Sequence, residues 1–344
     1  MKTALVIGAA GQIGRPAVRA LADDGWSVTA ASRGGGRDGT WPDEVRSVRL
    51  DRDDDVALAE LVGDGVDVVV DLVAFERRHG QQLADLADRI GAAVVLSSGA
   101  VYEDGQGRGF ATQGEPDGMP LYPVPIPETQ RLVAPGDTGY GARKVQLEQD
   151  LLGLGERLPT TVIRAAAVYG PHCRTPRELY FVKRNLDGRR TRVLAYNGET
   201  RFHPVSTRNL AELVRLAAAR PGSRILNGAD PSAPTVADIG AMIDDLMGVE
   251  TETVRVDGPP PAPNVGDTPW SMPNPVVLDM TAAERDLGYK PVTTYAEALP
   301  ETVAWLTRRL REQDWVDGFP KMVQSYTLGL FDYAGEDAWL ASRR

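Results

Sequence analysis

The stretch TALVIGAAGQIG, residues 3–14, decides the fold of this 344-residue chain. It begins as an apolar run of strand length and passes directly into a turn with glycines at positions 8, 11 and 14. A helical pattern follows over about 12–24. A strand that leads through a glycine-rich turn into a helix is typical of the first unit of a dinucleotide-binding α/β fold. The break after Gly8 also indicates a strand rather than a signal peptide.

The rest of the first half alternates between strand-like and helix-like segments. Apolar runs of strand length lie at 27–32, 45–50, 66–72 and 92–98, and helical patterns lie near 55–63 and 80–90. Continuous apolar runs separated by helices predict parallel strands that are buried on both faces. We therefore expect an α/β fold with a doubly wound parallel sheet, the Rossmann architecture.

The length of the chain predicts two domains. We expect the Rossmann domain over 1–171 and a smaller, interleaved α/β substrate-binding subdomain over 172–344. Part of the second region, about 200–230, is expected to return to the Rossmann domain. The sequence PTTVIRAAAVYGP at 159–171 predicts a single strand that leads from one domain into the other.

Composition excludes several classes of protein. The net charge of −10 has the wrong sign for tracking nucleic acid or an anionic membrane surface, so we expect neither partner. No window approaches about 18 apolar residues, which predicts no membrane-spanning helix. The single cysteine, Cys173, and three histidines are too few for a disulfide framework or a Cys/His metal site. These features favour the cytoplasm, and five lysines among 38 basic residues are typical of a GC-rich bacterial genome.

The glycine-rich turn is the candidate cofactor site. Gly8, Gly11 and Gly14 permit a tight turn, close approach of a pyrophosphate and close packing of the helix on the strand. Gln12 and Ile13 lie where the helix begins, and a helix N-terminus offers unpaired N–H groups to negative charge. The alternative is a glycine-rich turn that binds no ligand.

The end of the second strand bears on the choice between NADP and NAD. An NAD enzyme places an acid there to accept hydrogen bonds from the ribose hydroxyls, whereas this chain has Ser32 and Arg33. A guanidinium can pair with the 2′-phosphate of NADP and a serine can donate to it, so NADP is favoured over NAD. Arg37 is a rival for this role, and the alternative for Arg33 is a solvated loop residue.

Tyr140 and Lys144 form a YxxxK motif at the start of a predicted helix over about 139–154. The helix follows a Gly- and Pro-rich loop, 105–138, that is too long for a connector and is interpreted as a flap over a site. At i and i+4 the two side chains share one helix face. A nearby ammonium favours phenolate, so we expect the pKa of Tyr140 to lie below its usual value of about 10. The tyrosine would then exchange a proton with a hydroxyl or carbonyl group near neutral pH.

The sequence VVLSSGAVY at 94–102 adds a strand that ends in two serines. With the GxxGxxG turn and the YxxxK motif, it resembles the extended short-chain dehydrogenase/reductase superfamily, in its NAD(P)-dependent epimerase/dehydratase family. The resemblance implies a triad of Ser98, Tyr140 and Lys144, in which Ser98 hydrogen-bonds the reacting oxygen. Ser97 is then its structural neighbour, although the two serines could be exchanged, and the alternative for Ser98 is a turn residue.

Three further segments extend this resemblance over nearly the whole chain. They are IRAAAVYGP (163–171), GETRFHPVSTRNLAEL (198–213) and MTAAERDLGYKPVTTYAEALPETVAWL (280–306). The cofactor contacts that the resemblance implies, besides the glycine-rich turn, are Asp51, Arg52, Ala74, Val168, Tyr140 and Lys144. The substrate contacts that it implies are Ser98, Tyr102, Arg201 and His203. Asp51 is equally a candidate helix cap, and His203 a candidate surface or capping residue.

The sequence departs from the family's pattern where its dehydratases and epimerases carry polar groups. Gly99 and Ala100 stand where the dehydratases have an acidic pair, and Ala167 stands where 4-epimerases commonly have an asparagine. The sequence NVGD at 264–267 lacks the arginine that clamps the diphosphate of a nucleotide sugar. The segment 74–97 is short for the family and bears on its usual dimer seam, so a homodimer is only one candidate assembly.

We therefore expect an NAD(P)-dependent oxidoreductase or epimerase that transfers hydride at a secondary alcohol or ketone of a sugar-like small molecule, nucleotide sugars included. Tyr140 moves the proton, and Ser98 orients the reacting oxygen. Lys144 lowers the pKa of Tyr140 and anchors the cofactor ribose. One alternative is an NADPH-dependent ketone reductase of small-molecule biosynthesis. Another is a catalytically inactive, cofactor-sensing or RNA-associated protein, which the intact triad and the acidic charge disfavour.

Overall fold

The regular elements follow the alternation of the sequence in a computed structural model that describes residues 1–326 and 328–343. The strands are β1 (Thr3–Ile7), β2 (Ser27–Ser32), β3 (Arg46–Arg49), β4 (Val68–Asp71), β5 (Ala93–Ser98), β6 (Thr160–Ala165), β7 (Ala167–Tyr169), β8 (Thr191–Leu194), β9 (Pro204–Ser206), β10 (Arg224–Gly228) and β11 (Glu252–Arg255). The helices are α1 (Gly14–Asp23), α2 (Asp55–Val62), α3 (Arg77–Asp85), α4 (Tyr140–Leu152), α5 (Leu179–Leu186), α6 (Thr207–Ala219), α7 (Val236–Met247), α8 (Thr281–Leu287), α9 (Tyr295–Glu312), α10 (Trp315–Gly318), α11 (Pro320–Tyr326) and α12 (Tyr333–Ser342).

Seven parallel strands form the main sheet, in the order β10-β6-β5-β4-β1-β2-β3. Helices cover a parallel sheet on both faces, which explains why its central strands are apolar throughout. All four residues of β4 are buried, as are four of the five residues of β1. The doubly wound Rossmann fold predicted from the alternating pattern is confirmed.

The chain divides into two compact units. The first unit comprises Met1–Ala166, Thr207–Ala229 and Leu278–Val292, and the second comprises Ala167–Ser206, Asp230–Val277 and Thr293–Arg344. The first unit therefore ends its first stretch before position 171, where the sequence placed the boundary. Two later segments of the chain belong to the first unit, whereas the sequence predicted one.

The prediction of one strand over 159–171 is wrong, because the chain changes its hydrogen-bonding partner after Ala166. The Ala166 N–H donates to the Gly228 carbonyl over 2.9 Å, within the first unit. The Ala167 N–H donates to the His203 carbonyl over 2.9 Å, within the second unit. An unbroken apolar run does not reveal where a strand exchanges one partner for another, so the sequence pattern joined β6 and β7.

The first unit has a core between its sheet and its helices. Helix α1 presents Ala17, Val18 and Leu21 as a buried stripe and packs against α6. On the other side, α2, α3 and α4 contribute buried leucines to the core, among them Leu58, Leu83 and Leu147. Asp54 caps α2, since its side chain accepts from the Ala57 N–H over 2.9 Å.

The second unit is built on two short parallel strand pairs, β8 with β11 and β7 with β9. Helices α5, α7 and α9 pack together beside them. Their core is rich in aromatic side chains, including Phe181, Trp270 and Tyr295. Among the helices described in either unit, none is both long enough and apolar enough to cross a bilayer.

Candidate functional site

The glycine-rich turn between β1 and α1 needs its glycines for two different physical reasons. Gly8 has a φ of +86°, and a Cβ there would lie 2.7 Å from Val73 Cγ1. Gly14 opens α1, and a Cβ there would lie 2.3 Å from the Gly8 carbonyl oxygen. A side chain at either position would push the helix away from the strand. The turn is therefore tight and bare, as a pyrophosphate site requires.

The start of α1 also carries unused polar groups. No described side chain caps its first turn. Gln12 Oε1 is buried without a hydrogen-bond partner among the described atoms. Backbone N–H groups of an uncapped helix N-terminus attract phosphate, so this turn fits the diphosphate of a nicotinamide dinucleotide.

The two candidate arginines after β2 have different environments. Arg37 donates to the carbonyls of Val45 and Trp41 over 2.7 and 2.8 Å, and these bonds stabilise the loop that contains it. Arg33 is exposed, and within residues 1–326 and 328–343 its guanidinium contacts no acceptor. Arg33, directly after Ser32, is therefore the arginine that is available to a ligand.

The acidic run after β3 does not act as the sequence suggested. The cap of α2 is Asp54, whereas Asp51 is exposed and accepts from the Asp53 N–H over 3.2 Å. The side chain of Arg52, which was predicted to contact the cofactor, is instead bonded inside the protein. It is buried, donates from Nε to Asp71 over 2.6 Å and from Nη2 to the His79 carbonyl over 3.0 Å, and also contacts Gln82. Only the backbone of Arg52 is left for a cofactor.

The turn after β4 is fixed by the carboxylate of Asp71. Asp71 Oδ1 accepts from the N–H groups of Val73 and Ala74 over 3.1 and 2.8 Å. The carbonyl of Ala74 then accepts from Lys144 Nζ over 2.6 Å. Phe75 places its ring 5.4 Å from the ring of Tyr140, between centroids. This turn thus contacts both residues of the YxxxK motif.

Glycines bring the start of α4 against the end of β5. Gly139 precedes the helix with a φ of +80°. A Cβ on Gly141 would lie 2.6 Å from the Ala100 carbonyl oxygen, so only glycine allows this approach. As a result, Ser98 lies near enough to the hydroxyl of Tyr140 to act on its pKa. The other serine, Ser97, is buried and donates to Glu148 instead, so Ser98 is the serine that faces Tyr140.

Lys144 is buried, and its Nζ donates to two backbone carbonyls, Ala74 at 2.6 Å and Leu96 at 2.9 Å. Burial lowers the pKa of Lys144 to about 8, against the opposing charges of Asp71 and Glu148. Tyr140 is half exposed, but desolvation of its hydroxyl raises its pKa above the usual value, and the neighbouring Ser98 opposes the rise. The expected lowering of the tyrosine pKa by Lys144 does not follow from these contacts, because the ammonium is turned toward carbonyl groups.

A buried polar network that sequence reasoning missed lies behind the two serines. Arg164, from β6, pairs with Glu148, from α4, with 2.6 Å between Nη2 and Oε2. Tyr102 is fully buried, donates to Asn227 over 2.6 Å and accepts from Arg164 over 3.3 Å. Burial raises the pKa of Tyr102 to about 12. The hydroxyl of Tyr102, which was predicted to contact substrate, is committed to the core.

The remaining predicted residues belong to the second unit. Val168 lies on β7, half-buried, opposite Val205 of β9. His203, predicted to contact substrate or to cap, is buried with Nε2 at 2.8 Å from the Asp230 carbonyl, a position that favours the capping alternative. Arg201 is exposed, although one of its nitrogens donates to the Ala233 carbonyl over 2.6 Å. Of the two substrate residues predicted in the second unit, Arg201 is the exposed one.

The second unit holds a further cation that the sequence did not single out. The guanidinium of Arg177 lies 4.8 Å from the ring centroid of Phe202 and 5.5 Å from that of Trp270. Arginine stacked on aromatic rings is held in place while its charge stays available. The signal in the sequence is weak, because Phe202 and Trp270 lie far apart along the chain. No cluster of side chains that could hold a metal ion occurs in the described part.

A Rossmann sheet with a bare glycine-rich turn, and a serine beside the tyrosine of a YxxxK helix, define the class of nicotinamide-dependent enzymes of the short-chain dehydrogenase/reductase type. A sequence profile of the NAD dependent epimerase/dehydratase family matches residues 4–227, so the chain belongs to that family. The resemblance drawn from the motifs is thereby confirmed. No curated protein matches the chain at the level of sequence.

Several solved structures share the fold at low sequence identity. The enzyme WbmH of Bordetella bronchiseptica, in complex with NAD+, is 19% identical, covers 91% of this chain and 99% of its own, and has a TM-score of 0.67. The UDP-glucose 4-epimerase of Thermotoga maritima, with UDP-glucose, is 19% identical, covers 90% and 99%, and has a TM-score of 0.67. The dTDP-glucose 4,6-dehydratase of Bacillus anthracis, in complex with NAD, is 17% identical, covers 90% and 98%, and has a TM-score of 0.65.

Proposed function

We propose that the protein is an NADP-dependent epimerase or reductase that acts at a secondary alcohol or ketone of a sugar-like substrate. The observation that carries the proposal is the close approach of the start of α4 to the end of β5, which brings Tyr140 beside Ser98, with Lys144 one helical turn further on. A nicotinamide bound at the glycine-rich turn supplies the acceptor or donor of hydride. Tyr140 carries the accompanying proton to or from the reacting oxygen, and Ser98 orients that oxygen.

Tyr140 keeps its proton at neutral pH, which fits the proposed reaction in the direction of reduction. A tyrosine that keeps its proton at neutral pH is a proton donor to the oxygen of a carbonyl group that receives hydride. Lys144 holds its ammonium below a pH of about 8, where it is suited to bind the cofactor ribose. In an epimerase, the same groups act in both directions, and the cofactor is unchanged overall.

Arg201 and Arg177 support a substrate that carries negative charge. Both belong to the second unit, and both present guanidinium groups, which bind phosphate oxygens well. Two of the solved structures were obtained with, or are named for, nucleotide sugars. Nucleotide sugars are therefore the first substrate class to test. Gly99 and Ala100, in place of an acidic pair, argue against a dehydratase.

The experiment that tests the function offers UDP- and dTDP-hexoses to the protein with NADP(H) or NAD(H) and follows the sugars by proton NMR. We expect interconversion of epimers without net change in cofactor. Net oxidation of NADPH with a keto sugar would identify the reductase that Arg33 favours. Cofactor binding with no turnover of any sugar or keto sugar would contradict the proposal and favour a cofactor-sensing protein.

The preference for NADP is proposed from Arg33, and the Arg33→Ser variant tests it. A charge-assisted bond to the 2′-phosphate contributes about 1.5–3 kcal/mol, so we expect NADP(H) affinity to fall by roughly 10- to 100-fold. NAD(H) affinity should be unchanged, because NAD has no 2′-phosphate. Titration of the protein with both dinucleotides measures the ratio.

Arg37→Ser is the matched control for this prediction. Its guanidinium is bonded to the carbonyls of Val45 and Trp41, so we expect lower stability of the loop with the same NADP/NAD ratio. A ratio that stays unchanged in Arg33→Ser would contradict the preference. NAD, which is bound in solved structures of this fold, would then be the cofactor to assign.

A further inference from the structure

The buried pair of Arg52 and Asp71 lies directly behind the residues that hold Lys144. Asp71 is fully buried and ends β4, where it is aligned with Val95 of β5. Its Oδ2 accepts from Arg52 Nε over 2.6 Å, while its Oδ1 accepts two N–H groups of the following turn. One carboxylate therefore serves a buried cation and a backbone turn together.

That turn and the next strand supply both acceptors of the Lys144 ammonium. Ala74, whose N–H is bonded to Asp71 over 2.8 Å, offers its carbonyl to Nζ over 2.6 Å. Leu96, on β5, offers the second carbonyl over 2.9 Å. The place of Lys144 is thus set by groups that Asp71 holds or adjoins, rather than by Tyr140.

We propose that Asp71 is a positioning residue that fixes both the place and the charge of Lys144, and that Arg52 moderates its effect. The inference rests on the proposed function, in which Lys144 binds the cofactor as a cation. In water-poor surroundings a charge needs an opposite charge nearby. Neither neutral carbonyl supplies one, whereas Asp71 and Glu148 do, and of these two only Asp71 also holds the turn that binds Nζ.

The charges around Lys144 determine the sign of the expected effects. They are Asp71 after β4, Glu148 and Tyr140 on α4, Arg52 behind Asp71, and Arg164 behind Glu148. Removing the negative charge of Asp71 destabilises the ammonium and lowers the pKa of Lys144. Removing the positive charge of Arg52 leaves Asp71 unopposed and raises the pKa of Lys144. A purely structural pair would not produce two shifts of opposite sign.

The test is a pH titration by NMR of the cofactor-free chain labelled with ¹³C at lysine Cε. The chain has only five lysines, and the Lys144→Arg variant identifies the Lys144 signal by its loss. We expect the Lys144 midpoint to fall by roughly one pH unit in Asp71→Asn and to rise in Arg52→Gln. Midpoints that stay the same in both folded variants, or that shift in the same direction, would overturn the inference.

Two further variants keep the test decisive. Arg52→Met combined with Asp71→Asn leaves no unpaired buried charge, so this double variant can be measured if Asp71→Asn alone does not fold. We expect the Lys144 midpoint to fall less in the double variant than in Asp71→Asn. Asp71→Ala also removes the acceptor of the turn, which Asn retains. NADPH affinity should therefore be about tenfold weaker in Asp71→Ala than in Asp71→Asn. Equal affinities would overturn the positioning role.

The midpoints are measured without substrate, so they stand or fall separately from the proposed function. Unaltered sugars in the turnover assay, with both midpoint shifts present, would reject the function alone. Turnover with neither shift would reject the role of Asp71 alone.

Discussion

The Tyr140→Phe variant should lose about 10³-fold in kcat/KM while it binds NADP(H) as tightly as the native protein. The substitution removes only the hydroxyl, and the Phe ring retains the packing against Phe75, whose centroid is 5.4 Å away. Ser98 loses the neighbouring hydroxyl but keeps its bond from the Ala100 N–H over 3.2 Å. Binding is measured by titration of NADPH fluorescence, and turnover by the NMR assay of epimers.

Tyr333→Phe is the matched control for the Tyr140 prediction. It removes a tyrosine hydroxyl in the second unit, where Tyr333 donates to Asp187 over 2.6 Å. We expect unchanged kcat/KM in this variant. Full activity in Tyr140→Phe would reject tyrosine as the acid and base. Loss of NADPH binding in Tyr140→Phe would mean that the hydroxyl serves the cofactor site rather than the proton transfer.

The first half of the fold was readable from the sequence because two signals agree there. The apolar runs give strands that match β1, β2 and β5 closely, and the glycines at 8 and 14 stand where the structure allows no side chain. Patterns of this kind are local, since a parallel strand is apolar because both of its faces are covered. The junction at Ala166 was not readable, because it depends on which partner each N–H finds.

The candidate site was only partly readable, and the errors have one cause. The YxxxK motif and the two serines could be recognised because each is a short run of sequence, although they contact residues that lie 48 to 70 positions away. The burial of Tyr102 and His203 depends on Asn227 and Asp230, which come from distant segments of the chain. The role of Asp71 toward Lys144 likewise passes through a backbone carbonyl, which leaves no mark on residue identity.

The Arg164→Leu variant should lose about 3–5 kcal/mol in the free energy of unfolding, because it leaves Glu148 buried without its cation. Arg164 is among the largest fully buried side chains, and Glu148 is buried too. A charged residue in the apolar run of β6 is the one local sign of this pair in the sequence. Chemical denaturation at pH 7, compared with the native protein, measures the loss.

A second variant separates the unpaired charge from the lost packing. Arg164→Leu combined with Glu148→Leu removes both charges, so we expect most of the stability to return, apart from the bonds that Ser97 and Tyr102 lose. The exposed pair of Arg77 and Asp150, 3.3 Å apart, is the control, and Arg77→Leu should cost less than about 1 kcal/mol.

Equal losses in Arg164→Leu and in Arg77→Leu would contradict the assigned role of the buried pair. The buried pair also bears on catalytic activity, because Glu148 belongs to the helix that carries Tyr140 and Lys144. Its bond from Ser97 and its pairing with Arg164 fix that helix to β5 and β6, beside Ser98. A destabilised pair should therefore lower kcat/KM in the folded single variant as well, and the double variant, which lacks the same two bonds, should recover stability but not kcat/KM.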